Sequence, residues 1–170
     1  MKKAIWSRAC LGTANNELTE LFYECIGDLL EYKMIKNLDR FTQHAGTSRL
    51  QHSINVAYYS FLVCRKLGLD YKSAARAGLL HDLFLYDWRE VSKSAKIHIH
   101  AHPKAALENA RKVTTLNDKE ADAIVNHMWP LTPTFPRFRE SYIVSFMDTF
   151  CAMAEVVDNY RMRVLKLANG

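Results

Sequence analysis

The most informative stretch of this chain is Ala74-Ala75-Arg76-Ala77-Gly78-Leu79-Leu80-His81-Asp82-Leu83-Phe84-Leu85. After Arg76 every position is apolar or small except the adjacent pair His81-Asp82. A helix that is apolar on all sides belongs in a core. An aspartate there carries a large desolvation cost unless a cation or a strong hydrogen-bond donor meets it. For the pair alone, two interpretations stay open: a buried Asp–His hydrogen bond that joins two helices, or part of a functional site.

Glycine and proline usage indicates an all-α protein. The chain of 170 residues has only six glycines and four prolines, and no run of alternating strands lies between them. Its length is enough for one hydrophobic core and short for two domains. We therefore expect one compact helical fold, in which residues 1–44 form an N-terminal helical segment that packs on a domain of residues 45–170.

Helix start and stop signals divide the chain into segments. Asn117 and Glu120 resemble a capping box, Gly68 suits the position that ends a helix, and proline is at home in a first turn. The predicted helices run from Asn15 or Asn16 to about Arg40, from about Ser48 to Leu67, onward from Asp70 or Ser73, onward from His102-Pro103, from Asn117 to near His127, and from about Arg139 to Leu167.

Composition and charge limit the classes of function. Apolar residues make up 49% of the chain and charged residues 24%, which is ordinary for a soluble globular protein. The net charge of +5 comes from scattered basic residues. No long basic run marks a nucleic-acid arm, so we expect no stable nucleic-acid binding. A mildly basic protein favours phosphorylated ligands over cationic ones.

The cysteines and the N-terminal residues favour a cytoplasmic location. Cys10, Cys25, Cys64 and Cys151 lie far apart and form no C-x-x-C pair, which fits a reducing compartment. The first residues lack the apolar region of a signal peptide. No uncharged apolar run approaches the roughly 18 residues of a membrane span. We therefore expect a soluble cytoplasmic protein with no membrane partner.

Four further residues stand out from their surroundings. Asp148 is the only charged residue within positions 141–154, and an isolated acid in an apolar helix requires a partner. His52 lies near the start of the second helix, His102 precedes a proline, and His127 lies on a helix face. Taken singly, each has an ordinary explanation as a satisfied core residue or a helix cap.

Taken together, these residues form an ordered series with one ligand or pair on each of five elements: His52, His81-Asp82, His102, His127 and Asp148. In this order the chain resembles the HD-domain metal-dependent phosphohydrolase superfamily, from about Arg49 to Glu155. The strings that strengthen the likeness are Arg49-Leu50-Gln51-His52-Ser53, Gly78-Leu79-Leu80-His81-Asp82 and His102-Pro103.

The resemblance implies helices that converge on one metal centre. By the family pattern the expected ligands are His52, His81, Asp82 and Asp148 for a first ion, and His102 and His127 for a second ion that Asp82 bridges. Imidazole and carboxylate together suit a divalent transition metal (Fe, Mn, Zn, Co or Ni). The implied activity is hydrolysis of a phosphate ester or anhydride, in a nucleotide, by a metal-activated water with Asp82 in a catalytic role.

Substrate contacts are less clearly indicated. Arg49 lies three residues before His52 on the same helical face, so we expect it to hold a phosphate oxygen in catalysis. The alternative for Arg49 is a solvated arginine at a helix start. Many family members carry a lysine just after the His-Asp pair, and it is absent here. Lys104, Arg137 or Arg139 could supply that contact, although both arginines also fit an ordinary surface loop.

Two readings of function compete with hydrolysis. One is a metal-stabilised binding or regulatory module that retains the ligands without turnover, and the missing lysine favours it. The other is an oxygenase, because some HD proteins use a di-iron centre oxidatively. The complete set of ligands favours the hydrolase, whose partner would be a phosphorylated small molecule.

Overall fold

The computed structural model describes residues 4–6, 17–43, 46–87 and 95–168. No β-strand occurs among these residues, which confirms the predicted all-α fold. The helices are α1 (Glu17–Leu30), α2 (Lys33–Lys36), a 3₁₀ helix (Asn37–Arg40), α3 (Arg49–Lys66), α4 (Tyr71–Leu80), α5 (Ala95–Val113), α6 (Asp118–Asn126) and α7 (Arg139–Ala168).

Helix α4 lies at the centre and packs against α1, α3, α5, α6 and α7. Small residues on α4 permit this close packing, and Gly78 is the tightest point. A Cβ atom at Gly78 would lie 2.8 Å from the backbone of Ala57 on α3. Because α3 and α4 approach so closely, the rings of His52 and His81 come within 5.4 Å between centroids.

The predicted helix caps are confirmed at three starts and one end. Ser48 accepts a hydrogen bond from the amide of Gln51, and Asp70 accepts one from the amide of Ser73. Asn117 forms the complete capping box that begins α6. Gly68 follows α3 with φ of +67°, the left-handed conformation that glycine adopts freely.

The prediction of one long first helix is wrong. Helix α1 ends at Leu30, and the extended backbone of Tyr32 (φ −70°, ψ 130°) turns the chain before α2. After this turn Ile35 and Leu38 are both fully buried, which a straight continuation from α1 would not achieve for both. The proposed caps Asn15 and Asn16 lie outside the described residues.

Two predictions of helix boundaries around the histidines are also wrong. Pro103 does not start a helix, since α5 already begins at Ala95 and runs through the proline. The missing amide of Pro103 removes one backbone hydrogen bond, which the rest of this long helix tolerates. Helix α4 ends at Leu80, so His81 is its C-cap and the pair His81-Asp82 lies in the turn that follows.

One hydrophobic core joins the N-terminal helix to the rest of the fold. Phe22 of α1 packs edge-on against Tyr58 of α3, with ring centroids 5.2 Å apart, and both belong to the same buried cluster. The division at residues 44 and 45 stays a prediction.

Three cysteines are buried free thiols, and burial raises the pKa of Cys25 to about 11; Cys10 lies outside the described residues. None of the described helices has the length and apolar character needed to span a membrane.

Candidate metal centre

The structure brings the six predicted ligands to one place from five elements. Helices α3, α5 and α7 carry one each, and the turns after α4 and α6 supply the other three. Five of the six are fully or almost fully buried, whereas the side chain of Asp148 keeps 18% of its surface exposed. Solvent therefore reaches the cluster beside Asp148.

The first group of ligands is His52, His81 and Asp148, whose ligand atoms all lie within 4.8 Å of one another. The Oδ1 atom of Asp148 is 2.9 Å from Nε2 of His52 and 3.6 Å from Nε2 of His81. Two ligand atoms at about 2.1 Å from one ion lie roughly 3.0–3.5 Å apart in octahedral or tetrahedral geometry. The two distances from Asp148 lie just below and just above that range.

The second group surrounds the other carboxylate, that of Asp82. Its Oδ1 atom lies 3.5 Å from Nε2 of His102 and 3.6 Å from Nε2 of His127. Its Oδ2 atom faces the first group and lies 3.6 Å from Nε2 of His81. The two oxygens of Asp82 thus face different groups, as a bridging carboxylate does.

Hydrogen bonds at Nδ1 determine which nitrogen of each ring carries a lone pair. His102 donates from Nδ1 to the carbonyl of His98 at 2.8 Å, and His127 donates to the carbonyl of Ile124 at 2.7 Å. In the neutral rings both Nε2 atoms are then acceptors, yet they lie only 2.9 Å apart. Two buried lone pairs at this distance require a proton or a metal ion between them.

Two buried atoms of the cluster have no hydrogen-bond partner: Nε2 of His81 and Oδ1 of Asp82. A polar atom buried without a partner costs about 1–3 kcal/mol. His81 donates from Nδ1 to the carbonyl of Gly78 at 2.8 Å, so in the neutral ring its Nε2 is an acceptor as well. Acceptors that face one another without donors fit a bound cation, and the donor set of imidazole and carboxylate fits a divalent metal.

The charges of the carboxylates suit metal binding. Burial alone would raise the pKa of Asp82, but the neighbouring His81, His102 and His127 outweigh burial and lower it to about 2. Burial likewise opposes ionisation of Asp148, while the hydrogen bond from His52 and the neighbouring ring of His81 outweigh burial and hold its pKa well below the ordinary value. Both carboxylates are therefore ionised at neutral pH.

The surroundings of His127 and His52 shift the pKa values of these two rings in opposite directions. Burial, together with the positive charge of neighbouring rings, lowers the pKa of His127 to about 4, so its Nε2 lone pair is available at neutral pH. Burial also disfavours the charged form of His52, but hydrogen bonds to Asp148 and Glu155 outweigh burial and raise its pKa to about 10. An ion that binds His52 must therefore displace a proton.

Sequence reasoning missed Glu155, which holds His52 in place. Its Oε1 atom lies 3.0 Å from Nδ1 of His52 and accepts a hydrogen bond of 2.7 Å from Asn55. Glu155 is completely buried. The available signal was spacing, because Glu155 follows Asp148 by seven residues, about two helical turns, and so shares its face of α7.

Gln43, also missed, connects Asp82 to Arg49. Its amide donates a hydrogen bond to Oδ2 of Asp82, and its carbonyl oxygen accepts one of 2.8 Å from Nε of Arg49. Arg49 is only 1% exposed, stacks on the ring of Phe84 at 3.6 Å, and donates to the Phe84 carbonyl at 2.6 Å. These contacts connect Arg49 to the turn after His81-Asp82, and its predicted contact with phosphate stays a prediction.

The other predicted substrate contacts separate into two groups. Lys104 and Arg137 line a cavity of about 430 Å³ between α5, α6 and the loop before α7. Arg111, which was not predicted, lines the same cavity about two helical turns after Lys104 on α5. Arg139 is exposed at the start of α7 and is not among the lining residues.

Of the histidines outside the series, two are described. His98 stacks on His102 with ring centroids 4.4 Å apart, so it contacts a candidate ligand directly. His100 is exposed on the far side of α5 and lines the cavity. His44 lies outside the described residues.

Comparisons with known proteins give one family match and several curated relatives. The family model described as HD domain matches residues 49–153. Among curated proteins, the chain is 43% identical over 145 residues to Ribonuclease Y of Lactobacillus acidophilus, covering 79% of this chain and 24% of that protein. It is 30% identical over 145 residues to Ribonuclease Y of Pseudothermotoga lettingae, covering 81% of this chain and 26% of that protein.

These curated relatives are much longer than this chain. For the first two, from Pseudothermotoga lettingae and Fervidobacterium nodosum, the matched region is 26% of their length. The chain thus spans about a quarter of the curated relatives that it matches. No solved structure matches the chain.

Proposed function

The chain belongs to the HD domain family, and from this premise we propose that it is a metal-dependent phosphohydrolase that cleaves a phosphate ester or anhydride of a nucleotide. One observation carries the proposal. The buried acceptors Nε2 of His81, His102 and His127 face the oxygens of Asp82 at 3.5–3.6 Å, where a cation is needed to offset them. Divalent ions bound there supply Lewis acidity and an activated water.

We assign two adjacent metal positions to these side chains. The proposed ligands are His52, His81 and Asp148 for one position, His102 and His127 for the other, and Asp82 for both. The two oxygens of Asp82 face opposite groups, which supports a shared role. Imidazole-rich ligand sets favour Fe, Mn, Zn, Co or Ni over Mg or Ca.

The side chains of this protein contribute orientation and charge. Glu155 and the backbone carbonyls at Nδ1 keep each imidazole turned toward the centre. Gln43 fixes one oxygen of Asp82. The exposed edge of Asp148 leaves one side open for the substrate phosphate to approach. Arg49 braces the turn that carries Asp82, and a direct contact of Arg49 with phosphate is part of the proposal.

The cavity beside α5 supports binding of a phosphorylated substrate. Lys104, Arg111 and Arg137 line it, and they outnumber the two acidic residues, Asp118 and Asp122. One of those acids is already engaged, since Asp122 accepts hydrogen bonds from Ser141 and from the amide of Arg137. None of the six candidate ligands lines this cavity. We therefore propose Lys104 and Arg137 as contacts for a part of the substrate beyond the reacting phosphate, and Arg139, exposed at the start of α7, as a further contact.

RNA is the second candidate substrate. The name of the curated relatives, Ribonuclease Y, supports it. RNA as a substrate conflicts in part with our expectation of no stable nucleic-acid binding, which rested on the scattered basic residues. A nucleotide and an RNA chain share the phosphate ester that the centre would bind. The two candidate substrates differ only in the groups attached to that phosphate.

Turnover assays with added Mn²⁺, Fe²⁺, Co²⁺, Ni²⁺ or Zn²⁺ test the proposal. The substrates are nucleoside monophosphates, dinucleoside polyphosphates, cyclic dinucleotides and single-stranded RNA. We expect turnover that Asp82→Asn abolishes and that Glu108→Gln, an exposed acid on α5, leaves unchanged. Metal-loaded protein that turns over none of these substrates would contradict the proposal and favour the binding module.

A further inference from the structure

Helix α7 carries a continuous row of exposed apolar side chains, which we call the α7 seam. Its members follow one another at alternating spacings of four and three residues. The seam consists of Phe146, Phe150, Met153, Val157, Tyr160, Val164 and Leu167, with exposed fractions of 58%, 37%, 59%, 55%, 70%, 45% and 84%.

This spacing is the heptad repeat of a coiled coil. Phe150, Val157 and Val164 take the a positions, and the other four members take the d positions. On an unpaired helix such a pattern is unfavourable in water, because the apolar row then stays exposed to solvent.

The first two seam residues contact the chain's own core elements, since the ring of Phe150 lies 5.4 Å from that of Tyr59 and the ring of Phe146 lies 5.9 Å from that of Trp129. Cys151, Ala154 and Glu155 face the core and are buried. Trp6 donates a hydrogen bond to Asp158, which lies on the flank of the helix. From Val156 to Leu167 no described side chain is buried, and the seam residues in this half of α7 are exposed to solvent.

An apolar groove of about 500 Å³ continues the seam onto the body of the fold. Val63, Trp129 and Pro130 form its far wall, and seam residues form its near wall. The N-terminal half of the seam therefore lies beside a groove, and the C-terminal half is an uncovered apolar helix. Both halves are apolar.

We propose that α7 pairs antiparallel with α7 of a second copy of this chain, so that the uncovered half of each helix fills the groove of the other. This pairing is independent of the proposed hydrolysis. It stacks Phe150 on Leu167 of the second copy, Met153 on Val164, and Val157 on Tyr160, and each layer occurs twice by two-fold symmetry. Each layer joins one a position with one d position.

Charge favours the antiparallel direction. Arg161 and Arg163 flank the seam at its C-terminal half. Antiparallel pairing places Arg161 beside Val156 and Arg163 beside Ala154 of the other copy, so that each arginine is separated along the helix axis from its counterpart in the other copy by about 8 Å or about 14 Å. Parallel pairing would gather all four guanidinium groups at one end, where like charges repel.

The available area matches a stable dimer. The exposed area of the seven seam side chains is on the order of 700 Å² per copy, close to the roughly 800 Å² per partner in a standard interface. The groove walls add to this area. An interface of this size with apolar layers is sufficient for a specific dimer.

Sedimentation velocity on the full chain over a range of concentrations tests the proposal. We expect a dimer whose dissociation constant rises at least about 100-fold in Val157→Asp, because a charge is then buried in a central layer. Met162→Asp is the matched control: Met162 is 49% exposed on the same helix but off the seam, so dimerisation should persist. Circular dichroism checks that both variants remain folded.

Disulfide trapping determines the direction of pairing. Phe150→Cys and Leu167→Cys variants are mixed and oxidised, with wild-type protein as the control for native cysteines. Antiparallel pairing gives a crosslink between the two different variants, since residues 150 and 167 lie in one layer. A monomer at all concentrations, a dimer insensitive to Val157→Asp, or crosslinks only between identical variants would overturn the proposal.

Discussion

At the scale of single residues, each histidine of the centre has one ring nitrogen engaged by an oxygen of the surrounding chain. For three of them that oxygen is a backbone carbonyl, and for His52 it is the carboxylate of Glu155. The remaining nitrogen is thereby directed at the other ligands. Such outer contacts orient a ligand and raise its basicity, so they influence metal affinity without touching the ion.

Glu155→Gln is expected to weaken metal binding by about 10- to 100-fold, as loss of an outer carboxylate typically does. The amide keeps the shape of the side chain but loses its negative charge beside Nδ1 of His52. Isothermal titration with Mn²⁺ measures the change. Glu108→Gln, at an exposed position on α5, serves as the control and should bind as the wild type does. Equal affinity in Glu155→Gln and the wild type would show that this contact has no influence on the ion.

Arg49→Lys separates the bracing role of Arg49 from a role in binding phosphate. Lysine cannot reproduce the fork that contacts Gln43 and the Phe84 carbonyl together. We expect the free energy of unfolding to fall by about 1–3 kcal/mol, as for loss of buried hydrogen bonds, and kcat to fall because Asp82 is displaced. Thermal unfolding and steady-state kinetics measure both quantities. A rise in KM alone, with unchanged stability, would instead indicate a contact with substrate.

At the scale of helices, the contact between α3 and α4 positions the two groups of ligands. Gly78→Ala places a Cβ atom 2.8 Å from the backbone of Ala57, which cannot move aside as a side chain could. We expect a loss of about 1–3 kcal/mol in unfolding free energy, as for other overpacked cores. Chemical denaturation measures this loss.

Gly27→Ala is the matched control for that substitution. Its Cβ atom would meet the ring of Tyr23, which is 43% exposed and free to rotate away. Alanine also favours the helix by roughly 0.5–1 kcal/mol relative to glycine. We therefore expect little change or a small gain in stability. An equal loss in both variants would show that the close contact of α3 with α4 is not the cause.

A network at the start of α4 makes stability depend on pH. Glu140 accepts hydrogen bonds from Lys119 at 2.7 Å and from the amide of Asp70 at 3.1 Å. Burial opposes ionisation of Glu140, but these bonds outweigh burial and hold its pKa below the ordinary value of 4.5. A lowered pKa stabilises the fold above pH 4.5, and the stabilisation is lost as the pH falls through the folded-state pKa.

Glu140→Gln should therefore lower the melting temperature at pH 7, and its difference from the wild type should shrink below pH 4.5. Calorimetry at several pH values measures the difference. Glu108→Gln should follow the wild-type curve throughout. A difference that stays constant down to pH 3 would rule out ionisation of Glu140 as its origin.

The sequence predicts helices well where a cap marks them and poorly where tertiary packing overrides the local signal. Ser48, Asp70 and Asn117 all begin helices as predicted, because each side chain accepts a backbone hydrogen bond. Pro103 misled the prediction, since a long helix tolerates one missing hydrogen bond. The break at Tyr32 has no local signal and follows from the burial of residues beyond it.

The candidate site shows the same division. Its six candidate ligands could be named from the order of His and Asp along the chain and the family that this order resembles, and the structure brings these residues together. Glu155 and Gln43 could not, because their role depends on which helix faces lie against His52 and Asp82. Lys104 and Arg137 were named without the cavity that they line, which exists only once α5 and α6 are packed.

At the scale of the whole molecule, the candidate centre gathers side chains from five elements. Without a bound cation, buried nitrogen and oxygen acceptors of these side chains face one another. A bound ion should therefore stabilise the entire fold. At a free metal concentration 1,000 times the dissociation constant, binding adds about 4 kcal/mol, which is a rise of roughly 10 °C for a chain of this size. Thermal unfolding with Mn²⁺ and with a chelator measures this shift, and equal melting temperatures would contradict it.

Metal stoichiometry tests the central claim most directly. The protein is reconstituted with Mn²⁺, freed of excess ion, and analysed by inductively coupled plasma mass spectrometry. The account predicts about two ions per chain in the wild type and about one in the double variant His102→Ala, His127→Ala, since the first group of ligands remains. A wild-type chain that retains no ion would contradict the metal centre. An unchanged ratio in the double variant would contradict the second metal position.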